Sequence, residues 1–391
     1  GGRGGRMTRH RARRVAAAVC LVAALLAASA CSPPSPSPAP SRAVPTVGPS
    51  PVVSSPSADS AAWWRAGEVS TLATGLAAPW SVVPLDGGGA LISQRDDGVI
   101  RELTADGELR TAGTVDGVVS GGESGLHGLA LHVEDDEPLL YAYFGAQDDN
   151  RVVRMPLLGA RGALELGAPE VVLDGIPRAS THDGGRLAFG PDGYLYVATG
   201  DAQQRDAAQD PGALGGKILR VTPTGDPAPG NPWGNAAWSM GHRNVQGIAW
   251  TADGRMWASE FGQDAWDELN LIEPGANYGW PSVEGIAGEE GFADPVVAWT
   301  TDEASPSGIA ARGGTVFLAG LRGERLWAVD TRDGGIIGEP VAALTGEQGR
   351  LRDVVAVGDG SLWLLTNNTD GRGSPRPEDD LLLRVALVPA A

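Results

Sequence analysis

From about Leu72 onward the chain repeats one pattern, a short Asp/Gly-rich turn followed by an apolar or alternating run of four to six residues. The clearest copies are Asp86-Gly-Gly-Gly-Ala-Leu-Ile-Ser, Asp192-Gly-Tyr-Leu-Tyr-Val-Ala-Thr, Asp253-Gly-Arg-Met-Trp-Ala-Ser-Glu and Asp359-Gly-Ser-Leu-Trp-Leu-Leu-Thr. Looser copies start at Glu137 and Arg312. Asp-Gly ahead of an apolar run is a hairpin signal. Six copies at intervals of about fifty residues form a fixed-period array. Another strand precedes most hairpins, as in Trp80-Ser-Val-Val-Pro and Gln246-Gly-Ile-Ala-Trp, and one often follows, as in Lys217-Ile-Leu-Arg-Val. Three to four strands per repeat, six times over, predict an all-β, six-bladed β-propeller. A pair of β-sandwiches is the alternative, but it leaves the even spacing unexplained. Propeller loops converge at one end of a central channel. Chemistry is therefore expected between one blade's outer strand and the next blade's inner strand.

The first sixty residues break this pattern. Arg9, Arg11, Arg13 and Arg14 precede a sixteen-residue apolar stretch, Val15 to Ala30, which ends in Ala28-Ser29-Ala30-Cys31. The stretch is short for a membrane span. Basic, apolar and small-residue segments in this order read as an export signal, residues 1–31, with Cys31 as a lipobox cysteine. The expected location is outside the cell membrane, anchored by lipid on Cys31, or secreted. Residues 32–66, rich in Pro and Ser, form a tether, and residues 67–391 form the propeller. The only cysteines, Cys20 and Cys31, both belong to the leader. The folded part therefore uses neither disulfides nor thiolate metal sites.

Charge divides the same way. The chain carries −18 overall, yet residues 1–60 hold seven Arg and one acidic residue, so the propeller is more acidic than the whole. That excludes nucleic acid as a partner and leaves lipid attachment as the only membrane contact.

Five constellations could carry chemistry. His182, in Thr181-His-Asp-Gly-Gly-Arg-Leu187, precedes an inner strand and suits general-base work, although a lone loop histidine is more often structural. Asp201 ends the next strand and could orient that imidazole. Gly241-His-Arg-Asn-Val-Gln-Gly247 groups three polar side chains, of which Arg243 could stabilise oxyanion charge. The loop Glu260 to Glu268 holds four acids in nine residues. Its oxygen-rich composition suits a hard cation or a solvated loop. Arg350 and Arg352 alternate along an extended chain and face the same way, a clamp for a polyanion, with Arg322 as a third cation.

From about Gly75 to Leu387 the chain resembles the glucose/sorbosone dehydrogenase family, the soluble PQQ-dependent aldose sugar dehydrogenases. The segments that carry the resemblance include Gly75-Leu-Ala-Ala-Pro-Trp80, Gly125-Leu-His-Gly-Leu-Ala-Leu-His132, Gly241-His-Arg-Asn-Val-Gln-Gly247 and Glu268-Leu-Asn-Leu-Ile-Glu-Pro-Gly-Ala-Asn-Tyr-Gly-Trp-Pro281. The resemblance implies PQQ and calcium (Ca2+) as cofactors and an aldose sugar as substrate. An external electron acceptor, whether a quinone, a dye or a carrier protein, would complete the cycle. It implies His182 as catalytic base, Asp201 as its carboxylate partner, and Arg243 and Asn244 as contacts of the quinone. Arg350, Arg352 and Arg322 would hold the cofactor's carboxylates. Gly262 and Gln263 would ligate the cofactor's calcium through carbonyls, with Asp267 nearby. Glu268 and Tyr278 would ligate a second, structural calcium. The expected reaction takes the anomeric hydroxyl to a lactone. Glu123 stands where the best-known members have Gln touching sugar and cofactor, and adds negative charge there. A non-catalytic surface propeller that binds a sugar, glycan or protein, and a calcium-dependent lactone hydrolase, are the competing readings.

Overall fold

The computed structural model describes residues 63–390. The leader, Cys31 and most of the tether lie outside the described residues. Six antiparallel sheets follow one another along the chain. The first blade is a meander of Pro79–Pro84, Ala90–Gln94, Val99–Leu103 and Leu109–Thr114. Later blades open on inner strands Leu126–Glu134, Leu187–Phe189, Val245–Trp250, Pro306–Arg312 and Leu351–Ala356. The Asp-Gly turns join first and second strands. Gly254 and Gly360 sit at φ +86° and +84°, which glycine adopts without a Cβ penalty. Beside them Asp253 and Asp359 accept the backbone N–H two residues on, at 3.3 and 2.9 Å.

Six apolar clusters close the ring, one between each neighbouring pair of blades. Leu91 and Ile100 of the first blade meet Leu126, Leu129 and Leu140 of the second. Leu365 and Leu382 of the sixth meet Val82 and Ile92 of the first. Each Leu or Ile buried this way contributes about 1.5–3 kcal/mol. Strands Ala90–Gln94 and Thr315–Gly320 are buried at every position because a neighbouring blade covers each face. A pair of sandwiches would not give this cyclic set of interfaces.

The sixth blade is completed from the other end of the described chain. Its outer strand is Trp63–Ala73, antiparallel to Leu382–Ala390, with Trp63 opposite Ala390 and Thr71 opposite Leu383. The first four residues of that strand fall within the span assigned to the tether from sequence. Trp63 is buried with Phe317, Leu326 and Leu383, which holds the segment against the blade.

The meander sends two kinds of loop to one end of the ring: crossovers between blades, and connections from second to third strands. The channel is plugged beneath them by Arg186 and Asp353, an ion pair of 2.9 Å with both side chains buried. Trp80 lies on the Arg186 guanidinium at 4.4 Å.

Candidate active site

At that end a cavity of about 360 Å3 opens over Trp80. The crossover into the third blade carries His182, and the next two residues, Asp183 and Gly184, line the cavity. The His182 imidazole is in hydrogen-bond contact with Asp201, which follows the second strand of that blade, Nδ1 to Oδ1 at 2.7 Å. An ionised carboxylate only accepts, so Nδ1 carries a hydrogen, and in the neutral ring Nε2 is then the atom with the lone pair. Asp201 is fully buried. Trp280 Nε1–H donates to its Oδ2 at 2.8 Å, and the Gln203 N–H donates to Oδ1 at 2.8 Å. Burial pushes this carboxyl up, but the bonds from His182, Trp280 and Gln203 outweigh it and hold it below the usual carboxylate range. His182 has φ +64°, a left-handed conformation that costs a non-glycine residue about 1–2 kcal/mol. Hydrogen bonds at both of its peptide groups retain it, from Ala202 N–H to its carbonyl (3.1 Å) and from its own N–H to Glu123 Oε2 (2.8 Å).

Arg243 and Asn244 enter from the next crossover. The Arg243 carbonyl accepts the Asp201 N–H at 2.8 Å, and its guanidinium lies 5.4 Å from the Trp280 ring. Asn244 Oδ1 accepts the Gly184 N–H at 3.0 Å. Arg243 Nε and Asn244 Nδ2 are buried donors that find no partner among the described residues. His242 has no such vacancy. It is fully buried, Nδ1 on Glu260 and Nε2 on Ser239, both at 2.8 Å, with its ring stacked on Tyr278. The three-residue polar site expected from sequence therefore reduces to Arg243 and Asn244, because His242 satisfies both ring nitrogens within its blade.

Arg350 and Arg352 both line the cavity, as alternation requires. Asp370 holds them, with Arg350 Nη2 at 2.9 Å and Arg352 Nη2 at 3.7 Å from its Oδ2. Burial presses Arg352 down to about 9 against the pull of Asp370, and the charges of Arg350 and Arg95 add to the pressure. An anion in the cavity would relieve it. Arg322 also lines the cavity, at an exposed position where it pairs with Asp302.

The acidic loop turns its amides inward. Gly262 N–H donates to Asp267 Oδ1 (2.9 Å), and the N–H groups of Gln263 and Trp266 donate to Glu284 Oε1 (3.0 and 2.9 Å). The carbonyls of Gly262 and Gln263 take no hydrogen bond among the described residues. Burial pushes Asp267 up to about 6. Glu268 and Tyr278 lie apart, in a small pocket with Glu260 and Gly262. Burial, and next the charge of Glu260, pushes Glu268 up to about 8. The Tyr278 hydroxyl is spent on the Leu271 carbonyl (2.6 Å), so a cation there would meet its main-chain oxygen. Among the described residues no three His, Cys, Asp or Glu side chains gather to hold a metal, so a cation here must lean on carbonyls.

Sequence reasoning missed Arg95, Arg372, Asp370 and Trp280. Arg95 lines the cavity directly after the strand Ala90–Gln94. It occupies the loop class that also carries Asp201 and Phe261, and that shared place in the repeat was the available signal. Arg372 lines the cavity from the loop after Leu362–Thr366. His127 is buried against Trp80 and Tyr143, with Nε2–H on the Glu123 carbonyl (2.8 Å) and Nδ1 without a partner among the described residues. Burial pushes it down to about 3, so it is neutral.

A ring of six blades, five of four strands and one of five, with a His–Asp pair and an arginine cluster at one mouth matches known proteins. The family model described as glucose/sorbosone dehydrogenase fits residues 76–384, and the chain belongs to that family. The PQQ-bound form of aldose sugar dehydrogenase from Streptomyces coelicolor is 50% identical, with a TM-score of 0.81 over 84% of this chain and 99% of that one. The apo form of the soluble aldose sugar dehydrogenase from Escherichia coli is 26% identical, with a TM-score of 0.71 over 82% and 99%. The aldose sugar dehydrogenase YliI of Escherichia coli is 34% identical over a stretch spanning 51% of this chain and 62% of that protein.

Proposed function

We propose that this chain is an oxidoreductase of the PQQ-dependent type, oxidising the anomeric hydroxyl of an aldose to a lactone with calcium as second cofactor. The observation that carries this is the His182–Asp201–Trp280 chain. It fixes the imidazole through Nδ1, and the two residues that follow His182, Asp183 and Gly184, line a cavity shared with five arginines. Relatives named as sugar dehydrogenases support the same reading.

The residues present fit the cofactor. PQQ is a tricarboxylate, and Arg95, Arg322, Arg350, Arg352 and Arg372 line the cavity. The unpartnered donors of Arg243 and Asn244 await acceptor oxygens. Arg350 and Arg352 would hold the carboxylates, and Arg243 and Asn244 the quinone oxygens. The carbonyls of Gly262 and Gln263, near Asp267, would hold calcium. When bound, PQQ supplies the acceptor for the two electrons and the hydrogen that leave the anomeric carbon. The protein's part is proton management. His182 Nε2 takes the proton of the anomeric hydroxyl, and Asp201 stabilises the imidazolium through Nδ1–H. Arg243 places positive charge where negative charge grows. An external acceptor would then return the enzyme to its starting state. Glu268 and Tyr278 would serve a structural calcium. Export and a lipid anchor on Cys31 belong to this proposal on sequence grounds.

The test is to titrate apoprotein with PQQ in the presence of calcium, followed by absorbance, and then to assay dye reduction across an aldose panel. Saturable binding and sugar-dependent reduction are expected. Calcium binding with neither PQQ uptake nor reduction of dye by any aldose would reject the reading.

A further inference from the structure

Glu123 lies on the crossover into the second blade, and its side chain is 17% exposed. Its carboxylate joins the crossover into the third blade to the loop after Leu362–Thr366 in the sixth. Oε2 accepts the His182 N–H at 2.8 Å, and Oε1 accepts Arg372 Nη1–H at 2.9 Å. Its backbone carbonyl accepts His127 Nε2–H at 2.8 Å. His182 is left-handed at φ +64°, so the direction of its imidazole depends on a peptide plane with little intrinsic preference for that conformation. A carboxylate in a cavity lined by arginines would also repel an anionic ligand unless something cancels it.

We infer that Glu123 is a positioning residue that fixes the His182 backbone, and that Arg372 neutralises this carboxylate so an anionic ligand can share the cavity. The second half rests on the PQQ reading; the first does not. Arg372 is placed by the same aspartate that holds the clamp. Asp370 Oδ1 accepts the Arg372 N–H at 2.9 Å, while its Oδ2 binds Arg350. Arg372 is half exposed, so solvent screens the pair and its contribution to stability is small. Its consequence is electrostatic. Around Glu123 stand the cations Arg372, Arg352 and Arg243, the carboxylate Asp183, and the imidazoles of His127 and His182. Burial pushes the Glu123 carboxyl up, but the His182 N–H and Arg372 outweigh it and keep the group below its usual range.

The experiment has two arms. In the first, apoprotein is labelled with 15N-histidine, which gives four backbone signals after residue 62, from His127, His132, His182 and His242. The His182 amide proton is expected downfield, with an acid transition that reports Glu123. E123A should move it upfield, E123Q should keep most of the shift because its amide oxygen still accepts, and R372Q should raise the transition pH. An amide indifferent to E123A, or equal effects of E123A and E123Q, would overturn the positioning role. In the second arm, PQQ affinity is measured by absorbance titration with calcium present. R372Q should weaken binding by on the order of tenfold. R372Q/E123Q should return to within about threefold of wild type. If R372Q costs as much in the E123Q background, Arg372 meets the ligand directly and its assigned role falls. Should wild type bind no PQQ, the proposed function and the Arg372 role fail together, while the amide signals still decide the role of Glu123. In turnover, E123A should lower kcat with little change in KM, and E123Q should retain most of it.

Discussion

Replacing Asp201 with Asn tests the proton-handling chain at its centre. Asp201 accepts from three donors: His182 Nδ1–H, the Gln203 N–H and Trp280 Nε1–H. An Asn of the same shape has one oxygen and one NH2. With the oxygen toward His182 and Gln203, its NH2 faces the Trp280 N–H. With the oxygen toward Trp280, its NH2 faces Gln203 and His182, so the imidazole must accept at Nδ1 and carry its hydrogen on Nε2. Losing a charge-assisted hydrogen bond removes about 1.5–3 kcal/mol. If all of it is felt in the transition state, kcat falls roughly 10- to 150-fold. Inverting the tautomer deepens the loss toward about 10^4-fold, as in a hydrolase triad given the same exchange. The assay is aldose-dependent dye reduction at saturating PQQ and calcium, paired with equilibrium PQQ titration and a far-UV spectrum. The expected result is a large fall in kcat with PQQ affinity nearly unchanged. A kcat within about threefold of wild type, with normal fold and cofactor affinity, would mean that another group takes the proton.

His127 should make the fold acid-sensitive. Its folded-state pKa of about 3 lies below the unfolded value, so the unfolded chain binds the extra proton in between. Stability is then full above about pH 6.5 and falls by ~1.4 kcal/mol per pH unit down to the folded value. Urea unfolding at pH 7 and pH 5 should show about 2 kcal/mol of this loss in wild type, and its disappearance in H127N; an unchanged slope in the variant would contradict the assignment. Gly200 admits no side chain, since a Cβ there would strike the His182 carbonyl. G200A should cost about 2–3 kcal/mol and most of the activity. G193A, with open space at φ +78°, should cost only the conformational ~1 kcal/mol by urea midpoint, and equal losses would discount the contact. R186A leaves Asp353 buried and unpaired, a loss of about 3–5 kcal/mol. Removing the exposed Arg384 from Asp359 should change stability by less than about 1 kcal/mol in the same measurement, and a comparable loss at both sites would refute the distinction.

Much of this architecture is readable from local chemistry. Asp-Gly turns and apolar runs announce the hairpins of the blades, because turn geometry and strand alternation depend on neighbouring residues. His182, Asp201, Arg243 and Arg350 could be picked out for the same reason, as polar residues interrupting strand ends. The grouping of Arg243 with His242 was misleading. Adjacent residues share a segment, yet His242 is absorbed by Glu260 and Ser239 inside the blade, and only the packed sheet reveals that. Arg95 is marked only by its place in the repeat, directly after a second strand, and nothing within a few residues of Arg372 marks it as facing a cavity.

The order of elements, their strand character and the types of residue able to do chemistry follow from the sequence by itself, since each depends on short-range sterics and on alternating polarity. Three things required the tertiary structure. Trp63–Ala73 closes the ring only after six blades have brought the far end of the chain beside it. Glu123 meets Arg372 across 249 positions, and its charge becomes compatible with an anion only through that meeting. Arg95, Arg350, Arg352 and Arg372 become one cluster because the apolar interfaces between blades set the rotation from each sheet to the next. That rotation is a property of side-chain packing summed around the ring, and no local stretch of sequence contains it.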